Sequence, residues 1–197
     1  MKIINLKLIE DFQSNKPIKL DLGSGGKGKD GCYSIDLVEL KGVDIVADLN
    51  KPLDDIPDNS TEYIYSRHAL EHVNELLQLM KEIYRITKPG GKIEIIVPHY
   101  SNVFSYSDPT HVRFFGLYSM FYFVPEEFQP KRKVPAFYSD VRFKIEFYKY
   151  TIIDKIIRLL LTKIINSNIR LQEFYKRRLS NLIHAWQIKY IMTPLKN

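Results

Sequence analysis

The chain has 197 residues, of which 45% are hydrophobic and 26% charged, a composition that excludes wholesale disorder and low-complexity tracts. A single cysteine, Cys32, excludes an intramolecular disulfide and a paired-cysteine metal site, and no apolar run approaches the ~20 residues that a membrane span needs. The net charge of +6 is unevenly placed, because residues 1–130 carry −5 and residues 131–197 carry +11. We expect one cytoplasmic domain whose basic C-terminal third is either a solvated face or a contact for an anionic partner.

The first two-thirds of the chain alternates short β-branched segments with turn signals, the pattern of an α/β domain with a mainly parallel sheet. Five strands are predicted there: Ile18–Leu22, Tyr33–Ile35, Asp44–Ala47, Glu62–Tyr65 and Lys92–Val97. Apolar residues at helical spacing predict one amphipathic helix over Leu70–Thr87, which ends at a Pro-Gly-Gly turn.

An aromatic-rich region follows, with 16 of the 25 aromatic residues lying between Tyr100 and Tyr150. The remaining pattern predicts two strands and two helices: a strand at Arg142–Thr151, a helix with a wide apolar face at Ile152–Ile165, a basic helix at Leu171–Ile183 and a closing strand at His184–Met192. We expect the helical pair to pack on the sheet and to contact anionic membrane surfaces at most weakly.

A glycine-rich turn comes directly after the first predicted strand, in LDLGSGGKG over residues 20–28. Its glycines satisfy a GxGxxG spacing, but the next strand ends at Asp36 and leaves no room for the long helix of a dinucleotide fingerprint. The first crossover helix is therefore predicted to be shortened or absent. We expect the C-terminal helical pair, or the aromatic region, to cover the sheet in its place.

Carboxylates follow three of the predicted strands, with Asp21 inside the first, Asp36 just after the second and Asp48 just after the third. Ligands of open α/β sheets bind at the carboxyl ends of the strands, so we expect the three acids to converge on one cleft. A carboxylate in the position of Asp36 can accept both hydroxyls of a ribose, and Asp48 lies where an adenine amino group could be met.

In this order and spacing, the segments LDLGSGG, SIDL, VADLNKPL, YSRHALEHV and ITKPGGKIEIIVPH resemble class I S-adenosylmethionine-dependent methyltransferases, in particular type 11 and glycan-associated members. The resemblance covers about Lys19 to Phe123 and implies a Rossmann-like fold, mainly parallel with an antiparallel closing strand, and S-adenosyl-L-methionine as cofactor. The residues that it implies for cofactor binding are Asp21, Gly23, Ser24, Gly25, Asp36, Leu37, Asp48, Leu49, Ser66 and Arg67. We expect a single domain with a cofactor-binding core at 18–99, an aromatic acceptor-side insertion at 100–141, and C-terminal strands and basic helices at 142–197.

Methyl transfer to a hydroxyl requires the acceptor atom to be held in line and its proton to be removed. We expect His111 to be the base, with Asp108 beside it and His99 as the alternative, while His68 lies near the methionine end of the cofactor. Glu71 and His72 are either part of the acceptor site or first-turn residues facing solvent, and we favour solvent for Glu71.

Three of these side chains, His99, Asp108 and His111, could also ligate a divalent cation. The spacing lacks a tight ligand motif such as HExxH, so we expect no metal.

The expected activity is O-methylation of a saccharide or small metabolite. Alternatives are methylation of RNA or protein, and a catalytically inactive binding subunit with the same fold. The chain lacks the Asn/Asp-Pro-Pro-aromatic tetrapeptide associated with methylation of base amines, so a nucleic-acid acceptor is not favoured.

Overall fold

The computed structural model describes residues 1–152 and 161–196 of the chain. Within them, one sheet contains β1 (Lys2–Ile3), β2 (Ile18–Leu22), β3 (Tyr33–Asp36), β4 (Ile45–Val46), β5 (Thr61–Arg67), β6 (Thr87–Pro98), β7 (Phe143–Ile152) and β8 (Ala185–Pro194). The strand order is β1-β4-β3-β2-β5-β6-β8-β7. Strands β2 to β6 run parallel, whereas β1 is antiparallel to β4 and β8 is antiparallel to both of its neighbours. The predicted mainly parallel sheet with an antiparallel closing strand is confirmed.

Three α-helices are described: α1 (Leu6–Gln13), α2 (Leu76–Ile86) and α3 (Ile169–Phe174), which continues into a π-helical turn at Tyr175–Leu179. Residues 161–165 are also helical, but most of the predicted helix Ile152–Ile165 lies outside the described residues. Short 3₁₀ turns occupy Leu70–His72, Val103–Tyr106, Ser119–Phe123 and Glu126–Phe128. Among the described residues, none of the helices has the length and apolar content to cross a membrane.

The predicted helix over Leu70–Thr87 is interrupted after its first turn. The side-chain oxygen of Asn50 accepts hydrogen bonds from the backbone N–H groups of Asn74 and Glu75, at 2.7 and 3.1 Å. These bonds satisfy donors at the N-terminus of α2 that have no partner within the helix. A residue 24 positions away therefore sets where α2 begins, which the local apolar pattern did not indicate.

One face of the sheet carries rows of fully buried apolar residues, such as the register partners Leu20, Ile64, Ile93 and Met192. The buried side of α2 and the aromatic residues of the region after β6 join these rows in a single core cluster. Tyr175, at the end of α3, is fully buried, and its ring centroid lies 5.3 Å from that of Tyr150 on β7.

The opposite face of the sheet carries polar register partners, with Asp21, Tyr65 and Glu94 in one row. Residues 23–32, which connect β2 to β3, contain only turns, so the predicted absence of the first crossover helix is confirmed. The side chain of Lys29 lies over this face, with Nζ 3.9 Å from the Tyr65 ring centroid and donating to the Tyr63 hydroxyl at 2.7 Å.

The expectation that the C-terminal helical pair or the aromatic region replaces the missing helix is wrong for the described residues. The aromatic region and Tyr175 pack on the same face as α2, because their partners Tyr150 and Tyr190 belong to the apolar rows of β7 and β8. The part of the pair that falls on residues 153–160 lies outside the described chain.

Candidate active site

A cleft of about 520 Å³ opens at the carboxyl ends of β2, β3, β4 and β5, the edge of the sheet where parallel folds bind their ligands. We refer to it as the strand-end cleft. It is lined by Gly23, Gly25, Asp36, Leu37, Val38, Ala47, Asp48, Leu49, Asn50, His68, Ala69, His72, Val73 and Thr110. Six of the ten predicted cofactor-binding residues are in this lining: Gly23, Gly25, Asp36, Leu37, Asp48 and Leu49.

The glycine-rich turn forms one wall of the strand-end cleft. Gly23 has a φ of +74°, and a Cβ added there would overlap the Cβ of Ala69. Gly25 has a φ of +60°, and an added Cβ would meet no atom of the described residues within 4 Å, which leaves open space beside the backbone. Glycine is thus required at Gly23 for packing and at Gly25 for the left-handed backbone, and a ligand can approach the main chain closely.

Two carboxylates stand at the ends of β3 and β4. Asp36 accepts the N–H of Gly25 at 2.7 Å and that of Val38 at 3.2 Å, so it fixes the turn and retains further acceptor capacity. Asp48 accepts the backbone N–H of Asn50 at 2.9 Å and its side-chain amide at 3.0 Å. These bonds hold the pKa of Asp48 below its usual value, so its carboxylate is charged at neutral pH.

The other four predicted cofactor-binding residues lie outside the strand-end cleft. Asp21, Ser24 and Arg67 line a separate cavity of about 270 Å³ beside Lys29, and Ser66 is buried with its hydroxyl donating to the Leu22 carbonyl at 3.1 Å. Asp21 accepts the N–H of Lys29 at 2.8 Å, while burial raises its pKa. Side chains alternate between the two faces of a strand, so a contiguous motif cannot direct every residue to one cleft.

Beside the strand-end cleft lies a cluster of Glu71, His72 and His111, here called the histidine cluster, of which His72 is part of the cleft lining. One ligand atom from each residue lies within 4.8 Å of the others. The rings of His72 and His111 meet edge to face with their centroids 4.8 Å apart. Glu71 is only 1% exposed and, among the described residues, its Oε2 has no hydrogen-bond partner, so the expectation that it faces solvent is wrong.

The loop that carries His111 is fastened to the segment after β5 by main-chain bonds. The carbonyl oxygen of Glu71 accepts the N–H groups of Val112 and Arg113, at 2.9 and 3.2 Å. The side chain of Arg113 donates to the carbonyls of Val73, at 2.7 Å, and Asn74. These contacts cover Glu71 and bring His111 to His72 although the two histidines are 39 positions apart.

Hydrogen bonds also fix the orientation of both rings. His111 Nδ1 lies 2.9 Å from the Ser105 carbonyl oxygen, which can only accept, so Nδ1 carries a hydrogen and the lone pair of the neutral ring is on Nε2. Thr110 donates its hydroxyl to Asp108 at 2.6 Å and accepts from His72 Nδ1 at 2.9 Å. The bonds from Thr110 hold the pKa of Asp108 below its usual value, and its carboxylate lies 3.7 Å from Nε2 of His111.

Of the two remaining predicted histidines, one lies at the cleft and the other does not. His68 lines the strand-end cleft with a φ of +54°, an uncommon backbone conformation for a residue with a side chain, and its Nδ1 is 3.4 Å from Oε1 of Glu71. His99 is fully buried against Tyr150, with Nδ1 at 2.8 Å from the Ser101 hydroxyl. Burial lowers the pKa of His99 to about 3, and we do not retain it as the alternative base.

Residues 31–95 match the family model for a methyltransferase domain. The chain is 29% identical over 106 residues to a demethylmenaquinone methyltransferase of Listeria welshimeri, covering 47% of this chain and 45% of that protein. It is 30% identical over 115 residues to phosphoethanolamine N-methyltransferase 2 of Caenorhabditis elegans, covering 46% of this chain and 26% of that protein. The chain thus spans less than half the length of these relatives.

Among solved structures, the fold is similar to a SAM-dependent methyltransferase of Archaeoglobus fulgidus, with a TM-score of 0.57 and 18% identity over 95% of this chain and 90% of that one. The YcgJ protein of Bacillus subtilis has a TM-score of 0.53 at 12% identity, over 98% of this chain and 99% of that one. Residues 31–95 therefore match a methyltransferase domain, and the described residues have the fold of a solved S-adenosylmethionine-dependent methyltransferase.

Proposed function

We propose that the chain transfers a methyl group from S-adenosylmethionine to a hydroxyl oxygen of a small molecule, a saccharide or a related metabolite. The observation that carries this proposal is that the strand-end cleft and the histidine cluster share a boundary. His72 and Thr110 line the cleft, and their hydrogen bond to each other also holds the histidine cluster. The cofactor side and the proton-accepting side therefore adjoin.

The residues of the strand-end cleft fit the cofactor. Asp36 has acceptor capacity for ribose hydroxyls, and Leu37 and Val38 are 65% and 54% exposed at the rim, where an adenine ring would cover them. The volume of about 520 Å³ lies within the roughly 300–1,000 Å³ of small-molecule sites. When bound, S-adenosylmethionine supplies an electrophilic methyl group. Residues 18–99 form the cofactor half in this proposal, and residues 100–141 contribute to the acceptor half.

A hydroxyl acceptor explains the chemistry beside the cleft. An alcohol keeps its proton at neutral pH, so transfer requires that a C–O bond forms, the C–S bond breaks with its electrons left on sulfur, and the hydroxyl proton departs. The proton departs at the histidine cluster, where Nε2 of His111 has an available lone pair. Asp108 and His68 position this cluster through their contacts with His111 and Glu71.

An exposed aromatic pair beside the histidine cluster supports a sugar-like acceptor. The rings of Tyr106 and Phe114 stack with centroids 4.5 Å apart, and the side chains are 63% and 49% exposed. Tyr106 and Phe114 flank His111 in the chain. The carbonyl oxygen of Ser105, the residue before Tyr106, accepts the ring N–H of His111. Exposed aromatic faces offer apolar area to a flat or ring-shaped ligand. The names of both curated relatives describe small-molecule acceptors, which supports an acceptor of that size.

Calorimetry with S-adenosylhomocysteine tests the cofactor half. Asp36→Ala should weaken binding by ~1.5–3 kcal/mol, because a ribose would lose a charged acceptor. The matched control is Asp30→Ala, which removes an exposed carboxylate outside the cleft. Absence of heat with the wild-type protein, or equal loss in both variants, would contradict the assignment.

A screen of sugars, nucleosides and phenols with radiolabelled cofactor tests the acceptor half. Label should appear in a product whose new methyl group is on oxygen, as established by mass spectrometry and NMR. Transfer only to an amine, to carbon or to RNA would overturn the acceptor class and leave the methyltransferase assignment intact.

A further inference from the structure

We propose that Glu71, His72 and His111 bind a divalent first-row transition-metal ion, and that this ion binds the methyl acceptor through two neighbouring oxygens. The inference rests on the proposed function for the acceptor but not for the ion. It revises the expectation of no metal drawn from sequence spacing, and the ligand set differs from the one considered there, because Glu71 and His72 take the places of His99 and Asp108.

The geometry and the ligand types suit such an ion. One ligand atom of each residue lies within 4.8 Å of the others, and binding at about 2.0–2.2 Å needs separations of roughly 3–3.5 Å, so small side-chain movements close the site. Two imidazoles and one carboxylate are the ligands that manganese, iron(II) and zinc accept, whereas magnesium and calcium prefer oxygen alone.

The unpaired oxygen of Glu71 is a second and independent observation. The side chain is 1% exposed, and no group in residues 1–152 or 161–196 forms a hydrogen bond with Oε2. His68 Nδ1 approaches only the other oxygen, at 3.4 Å. Burying an ionised carboxylate without a partner is costly, and buried charges are normally paired or bind metals. A cation held with His72 and His111 would supply the missing partner.

The outer contacts of the two histidines match those of metal ligands. His111 donates from Nδ1 to the Ser105 carbonyl, and His72 donates from Nδ1 to Thr110, whose hydroxyl donates to Asp108. In the neutral form of each ring the lone pair is therefore on Nε2, and Nε2 of His111 lies 3.7 Å from the Asp108 carboxylate. Ring N–H groups bonded to a carbonyl or, through a hydroxyl, to a carboxylate fix the tautomer and orientation that metal-binding histidines need.

Three protein ligands leave coordination positions open, as in catalytic metal sites. His72 lines the strand-end cleft, so open positions of the ion would adjoin the bound cofactor. An acceptor with two adjacent hydroxyls could occupy two of them, which would orient the reacting oxygen and make its proton easier to lose. With the ion bound, Nε2 of His111 would be a ligand and not the base, and the proton would pass to the Asp108 carboxylate, which lies 3.7 Å from that nitrogen. A vicinal diol or catechol is therefore the acceptor class that the site fits.

Manganese binding tests the site without any need for activity. The full chain is stripped with EDTA and titrated with Mn²⁺, and the free-ion EPR signal is followed. We expect one Mn²⁺ per chain, with affinity reduced at least tenfold in His72→Ala, His111→Ala and Glu71→Gln. Matched controls are His184→Ala and Glu75→Gln, which remove a histidine and an exposed glutamate outside the cluster.

Folding of each variant is checked by circular dichroism and by S-adenosylhomocysteine binding, and His111→Gln replaces any variant that fails to fold. No stoichiometric binding of Mn²⁺, Zn²⁺ or Co²⁺ to the stripped protein, or binding that the cluster variants leave unchanged, overturns the metal site. With an acceptor in hand, full activity in EDTA also overturns it while the proposed function stands.

Two further outcomes distinguish the metal site from the proposed methyltransferase function. Metal binding without cofactor binding leaves the metal site standing and overturns the methyltransferase function. Equal metal-dependent binding of a diol and its deoxy analogue overturns the acceptor class only.

Discussion

The approach of Gly23 to Ala69 joins the turn after β2 to the segment after β5, and two substitutions can test it. An added Cβ at Gly23, where φ is +74°, would overlap the Cβ of Ala69. Gly31 has a similar φ of +75°, but an added Cβ there meets no atom within 4 Å in the part of the chain that the structure describes. Gly31→Ala therefore changes the backbone energy alone and is the matched control for Gly23→Ala.

The expected magnitudes follow from these two surroundings. A left-handed backbone costs an alanine roughly 1–2 kcal/mol, so Gly31→Ala should lower the free energy of unfolding by about that amount. Crowding at a packed position adds about 1–3 kcal/mol, so Gly23→Ala should cost about 2–5 kcal/mol. In the double variant Gly23→Ala with Ala69→Gly, the Cβ of residue 69 is absent and the overlap is removed. The double variant should therefore recover about 1–3 kcal/mol of the free energy of unfolding, measured as a coupling energy between the two positions.

Urea unfolding followed by far-ultraviolet circular dichroism measures five proteins under one set of conditions: the wild type, Gly23→Ala, Ala69→Gly, the double variant and Gly31→Ala. Gly25→Ala adds a second readout, since its Cβ meets no atom within 4 Å and would enter the space beside the turn. It should cost no more stability than Gly31→Ala and still weaken S-adenosylhomocysteine binding. If Gly23→Ala costs no more than Gly31→Ala, or if Ala69→Gly recovers nothing, the contact between the two segments does not constrain the turn and the reasoning fails.

His111→Ala should slow turnover by ~10²–10⁴-fold with little change in S-adenosylhomocysteine affinity, because the histidine acts on the acceptor. The control His184→Ala should leave both turnover and affinity unchanged. Arg113→Ala removes the bonds to the Val73 and Asn74 carbonyls, so it should lower turnover and raise amide exchange in the loop carrying His111 while cofactor binding persists. Because burial lowers the pKa of His99 to about 3, the unfolded chain binds one more proton between pH 3 and about 6.5, and stability rises with pH there. Urea unfolding should show that the free energy of unfolding falls by about 2 kcal/mol from pH 6.5 to pH 5, and this fall should be absent in His99→Leu.

The strands of the cofactor half were predictable because each is a short β-branched run bounded by turn residues. Ile18–Leu22 has the predicted bounds, and the other strands differ by a few residues at their ends. The N-terminal β1 and α1 were not predicted, since a two-residue strand carries no periodic signal and α1 is only 8 residues long. Such elements depend on tertiary contacts, here the pairing of β1 with β4.

The face on which an element packs was not encoded in its amphipathic pattern. A wide apolar stripe shows that one side of a helix is buried, but the strand connection decides which face of the sheet covers it. Tyr175 lies against Tyr150 on the α2 face, and the polar row containing Tyr65 and Glu94 lies on the other face beneath Lys29. The prediction failed because it assigned the helices to the gap left by the missing crossover helix.

The two halves of the site differ in how far sequence can reveal them, and the difference is physical. The cofactor half depends on side-chain chemistry that a motif records, such as glycines at positive φ and carboxylates at strand ends. The acceptor half depends on main-chain atoms, because Ser105 orients His111 through its carbonyl and Glu71 holds Val112 and Arg113 through its own.

Every residue supplies a carbonyl, so no residue type marks these contacts. The usable signal was the pair of polar residues at positions 71 and 72 within an apolar run, together with the distant Asp-Pro-Thr-His segment. Burial of Glu71 shows that the pair is not a solvent-facing helix turn, and it leaves Oε2 of Glu71 without a hydrogen-bond partner among the described residues.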